Sequence, residues 1–129
     1  MSRLRTAMAR VLLVNLPDTP GFVPADGARM RGLVGEGAMI NLVDLEPGAE
    51  IPLHSHPHEQ LGYVVEGEIV MVIDGTEHRM PPGTAYVIPG GVEHSGRGGP
   101  EGCRVVDVFH PPRDDYRERL ERADREASP

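Results

Sequence analysis

No apolar run in this chain goes far before a glycine or a proline interrupts it. Sixteen glycines and thirteen prolines punctuate 129 residues, and the short apolar stretches between them read as strands joined by tight turns. The expected strands cover residues 11–15, 29–34, 38–45, 51–56, 61–65, 69–73, 76–80, 84–88 and 103–109. Pro47-Gly48 turns the chain into the fourth of them, and Glu66-Gly67-Glu68 reads as the turn of a hairpin. Asp74-Gly75 is a second hairpin signal, since both residues tolerate the positive φ that a two-residue turn demands. Pro81-Pro82-Gly83 closes the strand before residues 84–88. Strands this short and closely spaced, without an internal repeat, predict an all-β protein built as a closed antiparallel barrel or jelly roll.

Composition narrows the class. A chain of 129 residues has room for one core. The expected organisation is an N-terminal strand and loop over residues 1–27, a barrel over 28–112 and a C-terminal helix or tail over 113–129. A net charge of −7 disfavours nucleic acid and anionic membranes as partners. No apolar run approaches the ~20 residues that span a bilayer, and the opening Met-Ser-Arg-Leu-Arg-Thr-Ala-Met-Ala-Arg lacks the apolar core of a signal peptide. Cys103 is the single cysteine, so no intrachain disulfide can form and a reducing cytosol suffices. The expected location is cytoplasmic.

The chemistry concentrates in two segments. In the first, His54 and His56 stand two apart, and side chains at that interval in a strand share a face. Gln60 keeps the same parity, and His94 lies in a second strand-and-turn segment that can fold back on the first. Three imidazoles and an amide oxygen converging inside a barrel would make a site for one divalent metal ion. Glu59 and His58 compete with Gln60 for the fourth place, His58 by parity. The nitrogen-rich set suits Zn, Ni, Co, Fe, Mn or Cu without choosing among them. A neutral amide where a carboxylate could stand leaves the full charge on the ion and tilts the site toward Lewis-acid chemistry. His78 and His110 read as surface or supporting residues.

The two segments resemble the paired motifs of the cupin superfamily. Gly48, His54, His56, Gln60 and Gly67 fit G-x5-H-x-H-x3-(E/Q)-x6-G, and Gly83, Pro89, Gly91 and His94 fit G-x5-P-x-G-x2-H. Gln60 stands where many cupins have Glu, and Gly98 where the second motif often ends in Asn. The resemblance implies a cupin jelly-roll β-barrel with a short C-terminal helix, and metal ligands His54, His56, Gln60 and His94. Cupins span dioxygenases, isomerases, hydrolases, lyases, cyclases and non-enzymes, so the fold alone does not name a reaction. Small cupins commonly form homodimers.

Past the second motif, Asp107 and Phe109 share one face of the last strand. Pro111-Pro112 stiffens the exit and can swing Arg113 over the barrel mouth, unless Asp107 and Arg113 pair to fix the helix to the barrel. Residues 114–126 are mostly helix formers, with acid-first i,i+4 pairs at Asp115/Arg119, Glu118/Arg122 and Glu121/Arg125. The Asp-x-Phe followed by Arg four residues later is similar to the KdgF-like pectin-degradation cupins, which open 4,5-unsaturated uronates toward linear keto acids. That similarity implies catalytic roles for Asp107 and Arg113 and a pocket role for Phe109. Three residues separate His56 from Gln60 here, where some members have four. The expectation is a metal-dependent enzyme acting on a small carbonyl or sugar-acid substrate. The alternatives are a polyketide cyclase or other secondary-metabolism catalyst, an Fe(II) dioxygenase, and a non-enzymatic metal- or sugar-binding module.

Overall fold

The computed structural model describes residues 11–128. Seven strands and one helix follow a 3-10 turn at Leu16–Asp18: β1 Ala28–Val34, β2 Met39–Leu45, β3 Glu50–His54, β4 Glu59–Ile73, β5 Thr76–Met80, β6 Ala85–Ile88, β7 His94–His110 and α1 Asp114–Ala127. All pairings are antiparallel, in the order β1-β2-β7-β4-β5, with β3 added on β7 and β6 on β4. The two longest strands, β4 and β7, pair with each other twice, once on each side of a bulged corner. Their outer halves carry different neighbours, so the same two strands serve both walls. This is the expected jelly roll with a C-terminal helix.

The Asp74-Gly75 hairpin forms as read, with φ of 50° and 79° and Ile73 paired to Thr76. Glu66-Gly67-Glu68 does not form a hairpin. Residues 61–65 and 69–73 are one strand, β4, whose register slips around Gly67. Gly67 sits at φ 70°, and a Cβ there would overlap the carbonyl of Gly102. The glycine therefore serves a bulge between two long strands, a use that local sequence does not separate from a turn. The last strand likewise begins at His94 rather than Cys103. Its early part, Ser95-Gly-Arg-Gly-Gly, looks like loop but lies between β3 and β4. Residues 11–15 take no strand pairing.

The core runs between the walls and includes Val34, Met39, Val43, Val64, Ile69, Met71, Ile88 and Val105. The helix buries Tyr116 and Leu120, the former against Phe22 and Phe109 at ring-centroid distances of 5.5 and 5.7 Å. Of the expected helix pairs, Glu118–Arg122 forms at 3.2 Å. Asp115 instead takes Arg113, and Arg119 lies over the Phe22 ring. Among the described residues, no helix is long and apolar enough to cross a membrane.

Candidate metal centre

Strand register decides what meets inside. Across β2, β7, β4 and β6 the paired positions Met39, Phe109, Gln60 and Ile88 form one inward row. Asn41, Asp107, Gly62 and Tyr86 form the next. Gln60 and Asp107 are therefore neighbours on the same wall, and both are buried.

The histidines arrive from elsewhere. Strand β3 ends at His54, so His56 does not share its face by strand parity; it lies in the irregular connection just before the bend at Pro57-His58. His54 pairs with His94 across β3 and β7. The ring centroids of His54 and His94 are 4.4 Å apart, those of His56 and His94 5.0 Å, and those of His54 and His56 5.6 Å. One ring nitrogen from each can be chosen so that all three lie within 4.8 Å of one another.

Hydrogen bonding assigns those nitrogens. Nδ1 of His54, His56 and His94 faces the carbonyl oxygens of Pro52, His58 and Val92 at 2.7, 3.1 and 2.9 Å. A carbonyl only accepts, so each Nδ1 carries the hydrogen and each Nε2 presents a lone pair. Such a backbone partner is also what orients a metal-bound imidazole. Burial, followed by the Arg113 charge, lowers the pKa of His56 to about 4, and burial lowers that of His94, so both rings stay neutral at neutral pH. Nε2 of His94 is buried without a hydrogen-bond partner. Nε2 of His56 faces the Gln60 oxygen at 3.1 Å, two acceptors that a cation beside them would reconcile. The set fits a divalent metal ion of borderline softness.

His58 lies next to His56 at 5.5 Å between centroids and outside the three-histidine group. Glu59 is exposed, its backbone opposite His110. His110 donates to the Gly37 carbonyl and His78 is exposed on β5.

Asp107 and Arg113 line the same cavity as His54, His94 and Gln60, a space of about 40 Å³. They do not pair with each other through a direct bond. Asp107 accepts from the Tyr86 hydroxyl at 2.5 Å. Its burial pushes its pKa up to about 6, against the lowering effects of Tyr86, the Gln60 amide and the Arg113 charge. Arg113 is forked onto Asp115 at 3.2 and 2.9 Å, and its guanidinium lies 3.7 Å from the Tyr116 ring centroid and 5.2 Å from that of Phe109. Phe109 also meets the His56 ring edge-on. Tyr86 escaped the sequence reading. The available signal was that Tyr86 and Ile88 share parity in a strand whose Ile88 reads as core.

A jelly-roll barrel with a three-histidine cluster at one end is the class that fold and site define. The family model for the cupin domain matches residues 41–109. The chain belongs to the cupin family. It is 33% identical over 102 residues to dimethylsulfoniopropionate lyase DddW of Ruegeria pomeroyi, covering 74% of this chain and 67% of that protein. The structure of KdgF from a Halomonas species superposes with a TM-score of 0.74 at 28% identity, over 82% of this chain and 97% of that one. The polyketide cyclase RemF of Streptomyces resistomycificus follows at 0.71 and 26%, over 78% and 80%.

Proposed function

We propose that this chain is a metal-dependent enzyme acting on a small sugar acid, with ring opening of 4,5-unsaturated uronates as the leading reaction. The observation that carries the reading is that Asp107 and Arg113 line one cavity with His54, His94 and Gln60. A divalent ion held by His54, His56, His94 and Gln60 would supply Lewis acidity toward a substrate oxygen. The reaction is an isomerisation. A proton leaves the anomeric hydroxyl, the bond from the anomeric carbon to the ring oxygen breaks to give an aldehyde and an enolate, and the enolate takes a proton at carbon to become a ketone. Asp107, with its pKa near 6, both accepts and returns a proton near neutral pH. Arg113 offers a planar fork to the uronate carboxylate; Asp115 occupies that fork until substrate replaces it. Phe109 forms the wall beside both.

The test is the ultraviolet absorbance of an unsaturated uronate mixed with protein purified without chelators. Loss of the double-bond absorbance that requires metal supports the reading, and stable absorbance with every unsaturated uronate removes it.

A second reading is elimination from a small aliphatic carboxylate. The likeness to the DddW lyase and a cavity of only about 40 Å³ favour it. Release of an unsaturated acid from such a substrate, with uronates untouched, would select it.

We place the enzyme in the cytoplasm, where the lone buried Cys103 stays reduced, and propose that it works as a homodimer. Support for the dimer comes from apolar side chains on the outer face of the β2-β7-β4-β6 wall.

A further inference from the structure

We propose that Tyr86 is a positioning residue of this site and that Gly62 is the opening that admits it. The phenol reaches Asp107 across the place where residue 62 would otherwise have a side chain. The proposal rests on the reading in which Asp107 moves a proton.

The argument starts from the row Asn41, Asp107, Gly62, Tyr86. Side chains one strand apart touch, and those two strands apart do not unless the intervening position is empty. Tyr86 on β6 and Asp107 on β7 are separated by β4, and the residue between them is Gly62. A Cβ at Gly62 would overlap the Tyr86 ring and hydroxyl. The backbone of Gly62 does not sit at positive φ. The glycine is therefore not required by a turn; it is required by the ring lying over it.

Tyr86 crosses that gap to donate to Oδ1 of Asp107 at 2.5 Å, a short bond of the kind made to an ionised oxygen. Tyr86 takes Oδ1, and the Gln60 amide also acts on the carboxylate, so Tyr86 is one of two neutral side chains that hold its orientation. The Tyr86 hydroxyl thereby fixes the direction in which Oδ1 of Asp107 points. A phenylalanine at 86 would fill the same volume and remove the donor on Oδ1, leaving the Gln60 amide as the remaining neutral partner of the carboxylate. The ring belongs to the packing, and the hydroxyl belongs to the site.

Two variants separate these contributions in the zinc-loaded protein. Tyr86→Phe deletes the hydroxyl alone, and Gly62→Ala drives the ring off its seat while keeping its chemistry. Tyr63→Phe, half-exposed on the opposite face of β4, is the control. Three quantities are measured: zinc content, the carboxyl carbon-13 resonance of Asp107 at fixed pH (assigned by its loss in Asp107→Asn), and turnover of the unsaturated uronate. Tyr86→Phe should move the Asp107 resonance and leave zinc content unchanged. It should also lower kcat by about 10–100-fold, the usual cost of losing a residue that orients another, with KM within about twofold. Gly62→Ala should reproduce the shift. If that variant does not fold, Tyr86→Phe decides alone.

An Asp107 resonance unmoved in Tyr86→Phe would overturn the proposal. So would a rise in KM with kcat preserved, because that would make the hydroxyl a substrate contact. Absence of uronate turnover in the unaltered protein removes the substrate reading instead. In that case the resonance still tests whether Tyr86 fixes Asp107.

Discussion

His54, His56 and His94 each spend Nδ1 on a backbone carbonyl, so what remains for chemistry is three lone pairs in one place. Replacing His54 and His56 together by alanine should abolish stoichiometric metal binding, read by elemental analysis, while circular dichroism retains the barrel. Full metal content in that double variant would sink the assignment. Gln60→Ala should weaken metal retention and Glu59→Ala should not, since Gln60 is buried beside His56 and Glu59 is exposed. Asp107 carries a further expectation. Its pKa rises in the folded chain from 3.8 to about 6, so folding favours the protonated form. The stabilisation this gives is complete below pH 3.8 and is lost as pH rises to about 6. That loss, up to about 3 kcal/mol in all, is the free-energy cost of burying the carboxylate in its ionised form. Asp107→Asn, compared with the unaltered chain as metal-free proteins in urea, should therefore be the more stable at pH 7.5, with the difference shrinking toward pH 4. The same change should cut turnover by about 10²–10⁴-fold. An Asp107→Asn protein less stable at pH 7.5 would show that the Tyr86 bond outweighs desolvation. At this scale much of the geometry was legible. The paired motifs singled out the three histidines and Gln60, and strand parity put Asp107 and Phe109 on one face. Strand parity gave the wrong reason for His56, which lies beyond the strand end. Tyr86 was hidden because its partner is 21 residues away across an intervening strand.

Strands fail to be legible where a glycine does something other than turn. Glu66-Gly67-Glu68 carries every local mark of a hairpin, and the structure uses it to bend one 15-residue strand. What decides between the two outcomes is Gly102, 35 positions on, whose carbonyl comes against Gly67. That contact is long-range and leaves no local pattern. Gly67→Ala should consequently cost at least about 1–2 kcal/mol from the left-handed backbone alone, and more from the overlap with Gly102. Chemical denaturation should show a lower midpoint, with the loss of metal affinity modest because the corner lies away from the histidines. A neutral substitution would mean that the corner rearranges freely. The Asp74-Gly75 turn was readable for the converse reason. It joins two strands that are adjacent in sequence and in space, and its φ values are set by the two residues themselves.

The whole molecule raises a question that no single strand answers, which is why the β2-β7-β4-β6 wall, whose inner face carries the core and the buried Asn41, Gln60 and Asp107, is apolar on its outer face too. Inside it meets the core. Outside, Ile40, Val108, Leu61 and Val87 form one row, and Leu42, Val106, Tyr63 and Ala85 the next. Of these, Ile40, Leu61, Tyr63 and Val87 are exposed, as is neighbouring Val65. From residues 11–15, Leu12 lines a groove with Ile40 and Val108 of this face. Antiparallel walls with one wet face alternate apolar and polar side chains, and this wall does not alternate. A contiguous apolar face of this kind marks an interface, and flat sheets pack face to face at about 10 Å. A second copy is the partner that such a face suits. Leu61→Glu combined with Val87→Lys leaves the inward rows untouched. Light scattering should then report a dimer for the unaltered chain and a monomer for the variant, with metal content equal in both. A monomeric mass for the unaltered chain at micromolar concentration would remove the dimer and leave the apolar wall to another partner.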